Sequence, residues 1–274
     1  MRIPRWLVLG VVVVVAMVAS GAALGVGPWP GLAPTVAASS GDVRYTAARA
    51  HGSTTVKAIR AGSVIASATF AGAYGIPAVT SAGKAGGLSP DGRLLVLAEP
   101  PSYKGLRSES RFLLVSTGRL SLADTIVLNG EFGFDAVSPD RRTLYLIQHT
   151  SSSDLVTYVV RAYDLRAKRL LPGAIVDKRE PDETMRGYPV ARATSVRGEW
   201  VYTLYTRSPD GGRPFVHALN AAARAAFCID LPRWPNGDIW SARLELANDG
   251  RQLVVRSGAT AVARIDTATL RVVR

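Results

Sequence analysis

Ser89-Pro90-Asp91-Gly92-Arg93, followed at once by Leu94-Leu95-Val96-Leu97-Ala98, is a tight turn feeding an apolar strand, and it recurs three more times. Proline presets φ at the first turn position, Asp caps the turn locally, and Gly supplies the positive φ that lets a short hairpin close. The other copies are Ser138-Pro139-Asp140-Arg141-Arg142 before TLYLI, Ser195-Val196-Arg197-Gly198-Glu199 before WVYTL, and Ala247-Asn248-Asp249-Gly250-Arg251 before QLVVR. They start 49, 57 and 52 residues apart. Arg141 stands where the other copies have Gly, which predicts a turn that is strained or of another type.

A second element follows each hairpin. Val160-Arg161-Ala162-Tyr163-Asp164-Leu165 leads through a short turn to a last strand from Arg169, and the same plan appears from Ala218 and from Ala263. Thr55 to Ile59 before Val64, and Phe112 to Val115 before Leu120, complete the set. Strand, turn, strand, loop, strand, turn, strand is one four-stranded antiparallel unit. Repeats of 40 to 50 residues built this way indicate an all-β propeller rather than a helical solenoid. The 233 residues from Asp42 to Arg274 fit about five such blades, although the first lacks an obvious innermost strand and ring closure is not evident. The alternation also predicts that Leu95 and Leu97 pack against Leu144 and Leu146 between adjacent blades. These turns, with the YDLR (163–166) and IDTAT (265–269) strand ends, resemble the bacterial YVTN-type and TolB-type β-propellers, relatives of the WD-repeat fold. The resemblance extends to extracytoplasmic propellers of actinobacteria. It implies a fold and leaves function open, because such propellers host hydrolases, lactonases, isomerases and pure binding scaffolds.

The N-terminal segment addresses the compartment. Arg2 and Arg5 precede Trp6–Gly27, an uncharged stretch that includes Leu7, Val8, Leu9 and the run Val11 to Val15. A short positive end before an apolar segment stays in the cytoplasm, so the remainder is expected outside it. Trp6 and Trp29 would lie about 34 Å apart at helical rise, matching two interfacial aromatics across a hydrocarbon core about 30 Å thick. That favours an uncleaved transmembrane anchor over residues 1–27; cleavage as a signal peptide among Ala19 to Ala23, with secretion, is the alternative. Residues 28–41, rich in Pro, Gly and Ser, are expected to be a linker.

Composition excludes several classes. With 47% hydrophobic residues and a single cysteine among 274, the chain is neither disordered nor disulfide-stapled. A net charge of +12 suits an anionic partner. The basic residues are scattered without aromatic interleaving, so nucleic acid is not the expected one. A protein, a peptide or an anionic envelope polymer is.

No residue cluster announces a reaction. His51, His149 and His217 fall in different units and Cys228 has no CxxC partner, so no metal or cofactor is expected. His149 reads as a partly exposed residue at a loop start, Cys228 as a small buried thiol on an outer strand. A propeller hydrolase, whether glycosidase or lactonase, needs carboxylates converging at the channel. Glu131, Asp135 and Glu245 on innermost strands are the candidates, each with a plainer role as a strand-end charge or an Arg partner. The long loop from Asp177 to Pro189 accounts for the 57-residue spacing. Its Arg179, Glu180, Asp182, Glu183, Met185, Arg186 and Tyr188 are a candidate interaction surface, or else a solvated connector held by internal ion pairs. The expectation is a membrane-anchored, non-enzymatic binding scaffold, with the hydrolase as the alternative.

Overall fold

The computed structural model describes residues 30–37, 42–102, 105–154, 156–182, 184–208, 213–235 and 238–273. The predicted anchor at Trp6–Gly27 and the candidate Glu183 lie outside them. Among the described residues no helix is long and apolar enough to cross a membrane.

The stretch expected as a linker carries two short strands, β1 (Leu32–Ala33) and β2 (Thr35–Ala37). β2 heads a sheet continued in order by β3 (Arg44–Ala50), β4 (Ser53–Arg60) and β5 (Ser63–Ala71). It supplies the innermost strand that the first unit lacked, so the folded region begins before Asp42. The reason is local: Pro and Gly around a two- or three-residue strand mask it in sequence. β6 (Ile76–Pro77) pairs with β1, and the chain then runs irregularly into β7 (Leu94–Ala98), β8 (Glu109–Ser116) and β9 (Ser121–Asn129). The next sheet is β10 (Glu131–Val137), β11 (Thr143–His149), β12 (Thr157–Asp164) and β13 (Arg169–Leu170), with β14 (Met185–Arg186) also paired to β12. β15 (Tyr188–Thr194), β16 (Trp200–Thr206), β17 (Phe215–Asn220) and β18 (Ala225–Asp230) follow. After a 3₁₀ turn at Ile239–Ser241 come β19 (Arg243–Ala247), β20 (Gln252–Ser257), β21 (Thr260–Asp266) and β22 (Arg271–Val273).

These antiparallel meanders pack face to face as in a propeller, and strand alternation decides which side chain meets which sheet. Leu95 and Leu97 pack with Val56 and Ala58 of the preceding sheet. Val96, Phe112 and Leu114 pack with Leu144 and Leu146 of the following one. The expected pairing of Leu95 and Leu97 with Leu144 and Leu146 is therefore corrected. All four occupy equivalent repeat positions, so all four face backwards, and the contact is made by the residue between them. Val201 likewise faces back toward Tyr145 and Val160, while Tyr202 faces forward toward Leu253 and Val255. Fully burying one such side chain contributes about 1.5–3 kcal/mol. Among the described residues no buried cluster joins β19–β22 to β2–β5.

The repeated turns differ in one informative way. Gly92, Arg141 and Gly198 all donate their N–H to the carbonyl of the leading Ser, at 2.8, 2.9 and 2.8 Å. Arg141 adopts φ 56°, so its turn is the same type, carried by a non-glycine in the left-handed region. Its Nε lies 3.0 Å from Asp91 Oδ2, tying neighbouring turns together. The leading Ser hydroxyl also works: Ser89 Oγ donates to Asp91 Oδ1 at 2.6 Å and accepts from Leu94 N at 3.0 Å. Ser89→Ala is expected to cost about 1 kcal/mol, read as a lower urea midpoint with unchanged slope. The fourth copy has Ala247 there and turns differently, through Asn248 and Asp249 at φ 52° and 54°.

Candidate functional site

The innermost strands converge on an axis with a cavity at each end. The cavity at their N-terminal ends is lined by Leu32, Glu131, Asp135, His149, Arg192 and Tyr205, among others. It offers about 60 Å³, room for a few waters and far too little for a sugar ring. The cavity at the other end is larger, about 410 Å³, and is bordered by Lys84, Gly87, Ser89, Pro90 and Ser195. Phe134, Asp135 and Arg192 line both. Val79 lines both as well, and the Asp135–Arg192 ion pair therefore borders each cavity.

That pair is made by two local devices. Register skips Asp135 between Phe134 and Ala136, so Asp135 is the extra residue of a β-bulge, which re-aims its carboxylate. A second bulge between Pro189 and Ala191 sets the phase of β15. Arg192, only 8% exposed, then meets Asp135, which is 3% exposed. Its Nη2 donates to Asp135 Oδ1, its Nη1 to the Asp135 carbonyl at 2.6 Å, and its Nε to Thr203 Oγ1 at 2.9 Å. Lys84 Nζ donates to the Arg192 carbonyl at 2.5 Å. Burial lowers the Lys84 ammonium from its ordinary range, and the nearby Arg192 charge adds to this.

Glu131 is also spoken for. It is buried, and it accepts from Arg107 N at 2.9 Å and from Arg107 Nε at 3.2 Å. Arg107 in turn binds Glu99 Oε2 and the Pro100 carbonyl, at 3.2 and 2.6 Å. Of the three candidate carboxylates, the fold brings Glu131 and Asp135 to one cavity. Glu245 sits apart on β19, exposed, 2.7 Å from Arg256 Nε. The plainer role, an Arg partner, is the one each of them plays here.

The long loop is partly built into the fold. Asp177 is buried, accepts from Arg179 Nη2 at 2.6 Å and from Cys228 N at 2.7 Å, and so clips the loop to β18. The Arg179 guanidinium covers the Phe227 ring at 5.3 Å. Met185 is buried on β14, Arg186 Nε pairs with Asp154 at 3.2 Å, and Tyr188 stands edge-on to Trp240. Glu180 and Asp182 remain at the surface.

Sequence reasoning missed a polar row that crosses the β15–β18 sheet. Arg192, Thr203, His217 and Cys228 are successive register partners from axis to outer edge. His217 is 3% exposed and its Nε2 has no hydrogen-bond partner. Burial pushes its imidazole down to about 4, against the pull of Asp135 and with a smaller push from Arg192. His149, expected to be partly exposed at a loop start, is buried against Tyr158 instead. Cys228 is half-buried on the outer strand, its Sγ 3.5 Å from Met185 Sδ. The one legible signal was Arg192 itself, a lone cation in the otherwise apolar run Val190–Ala193.

No protein-family model matches the chain, and no curated protein matches it. Among solved structures, the chain is similar to a functionally unknown protein from Desulfotomaculum acetoxidans, with TM-score 0.52 and 13% identity over 89% of this chain and 68% of that one. The β-propeller domain of Cps50 (Swd1) from Myceliophteria thermophila aligns at TM-score 0.48 and 13% identity, over 86% of this chain and 66% of that one. TolB from Acinetobacter baumannii aligns at 0.43 and 13%, over 73% and 43%. The chain thus spans about two thirds or less of the length of the Swd1 domain and of TolB. At these identities the likeness speaks for the fold alone.

Proposed function

We propose that this chain is an extracytoplasmic propeller of five blades, tethered to a membrane by Trp6–Gly27 and acting as a non-enzymatic scaffold that binds an anionic envelope polymer. Counting β2–β5, the three strands β7–β9 with the isolated bridge of Leu88 to Leu95, β10–β13, β15–β18 and β19–β22 as blades gives the five. The observation that carries the scaffold reading is the plugged axis. Glu131 and Asp135 are each engaged by an arginine, and the cavity they share admits waters only.

The polymer reading rests on where the cations fall. In a four-stranded meander, the turns joining strands one to two and three to four lie at the same end. That end, the one with the larger cavity, carries exposed Arg60, Arg93, Arg119, Arg142, Arg166, Arg197, Arg224 and Arg251 against exposed Asp91, Asp140 and Asp249, with Arg142 beside Asp140 and Arg197 beside Glu199. The opposite end mixes signs, with Glu99, Asp154, Glu180 and Asp182 among its arginines. Arginine outnumbers Asp and Glu at the turn end, and a net positive surface attracts polyanions, an attraction that salt screens over about 8–10 Å.

Replacing Arg93, Arg142, Arg197 and Arg251 together by Ser is expected to lower binding to an anionic wall or envelope polymer at least about tenfold at low salt and to flatten its salt dependence. Lys178→Ser with Glu180→Ser and Asp182→Ser should leave binding unchanged. Binding that follows the loop variants and ignores the arginines would move the partner to the loop face. Turnover of a glycan or lactone panel that disappears in Glu131→Gln would restore the hydrolase. A reporter fused after Arg274 tests the outward topology, which requires activity outside the cytoplasm.

A further inference from the structure

We propose that the layer between the β10–β14 and β15–β18 sheets contains a site for a monovalent copper ion, with Cys228 Sγ, Met185 Sδ and His217 Nε2 as its donors.

Strand alternation places all three in one layer. Phe215 and Leu219 on β17 pack toward Tyr145 and Val160 of the neighbouring sheet, so His217 between them, two residues from each, points the same way. On β18, Phe227 packs toward the β19–β22 side while Cys228 packs toward β12. His217 and Cys228 are direct register partners, which sets their Cβ atoms about 4.5–5.5 Å apart on one face. Met185 enters from the opposite sheet, where it is the register partner of Tyr158.

The two sulfurs already stand at 3.5 Å. With metal–sulfur bonds of about 2.3 Å, that separation corresponds to an angle of roughly 100° at a shared ion. The third donor is independent of the thiol: a buried imidazole nitrogen that no protein group satisfies. Buried polar atoms left this way in a native layer need an explanation, and a ligand is one.

Donor chemistry selects the ion. Among the described residues there is no group of three His, Cys, Asp or Glu side chains able to hold a metal, so zinc, calcium and magnesium lack their usual donor sets. A thiolate with a thioether is a soft pair that favours Cu(I). Binding would release the Cys228 thiol proton to solvent, leaving a neutral Cu(I)–thiolate unit, which suits a layer walled by Tyr158, Tyr205 and Phe215. Access runs from the outer rim, since Cys228 is only half-buried on the outermost strand.

The test is an anaerobic titration of the reduced, full-length protein with the Cu(I)–bicinchoninate complex as coloured competitor. Wild type is expected to withdraw one equivalent of Cu(I), gain near-ultraviolet thiolate-to-copper absorption and unfold at higher temperature. Cys228→Ser should withdraw none. Met185→Leu, which conserves volume, and His217→Leu should each weaken binding by at least about tenfold, since even an outer-shell partner commonly carries that much. Circular dichroism identifies any variant that does not fold, and Met185→Leu then carries the test. Failure of wild type to withdraw Cu(I), equal withdrawal by Cys228→Ser, or undiminished affinity in Met185→Leu overturns the proposal.

Discussion

Asp135→Asn is expected to destabilise the protein by about 3–5 kcal/mol, the range for removing one member of a buried ion pair and stranding the other. Arg192 is only 8% exposed, so solvent replaces little of what its guanidinium would lose. Its remaining acceptors, the position 135 carbonyl, Thr203 Oγ1 and the amide oxygen of the substituted side chain, would all be neutral. The measurement is urea unfolding followed by fluorescence, read as a fall in midpoint at constant slope. Combining Asp135→Leu with Arg192→Met should recover most of the loss, because a well-packed apolar pair replaces a buried salt bridge at little or no cost. A cost below about 1 kcal/mol for Asp135→Asn would mean that water reaches the axis and that the pair behaves like a surface bridge. The same prediction bears on function. An Asp135 amide that abolishes an activity would first have to be shown folded, whereas Glu131→Gln perturbs a site nearer the mouth.

What was readable in the chain was whatever local chemistry dictates. Turns built on Ser, Pro, Asp and Gly, and the period-two strands after them, placed the hairpins at Ser89, Ser138 and Ser195 because each decision involves fewer than ten residues. Register across sheets was less legible. Leu95 and Leu144 look like partners because they are equivalent, yet equivalence is the reason they face the same way. β2 was hidden because three residues carry too little periodicity to register against flanking Pro and Ala. The site was the least legible part. Asp135 and Arg192 are 57 residues apart, and the bulges that aim them leave no signature beyond an ordinary apolar strand. The innermost-strand carboxylates could be nominated from their place in the repeat, but that an arginine occupies each of them is a tertiary fact.

Without added metal the protein is expected to lose stability as pH falls from about 6.5 to about 4, by an amount to which His217 contributes about 3 kcal/mol at the lower end. The sign follows from proton binding. The unfolded chain protonates this imidazole near 6.5, whereas burial holds the folded-state value down to about 4. Between those values the unfolded state binds more protons, so stability rises with pH across the window and is flat, for this group, above and below it. A separation of about 2.5 pH units at 1.36 kcal/mol each sets the magnitude. Acid destabilisation therefore has a histidine contribution that sets in below about pH 6.5. Comparing denaturant midpoints of wild type and His217→Leu at pH 7.5, 5.5 and 4.5 isolates the effect. The variant should remove most of the slope in that interval while costing little at pH 7.5, since Leu fills the space without an unsatisfied nitrogen. Parallel curves for the two proteins would show that His217 takes up its proton inside the folded layer, through water reaching Nε2 from the Cys228 rim.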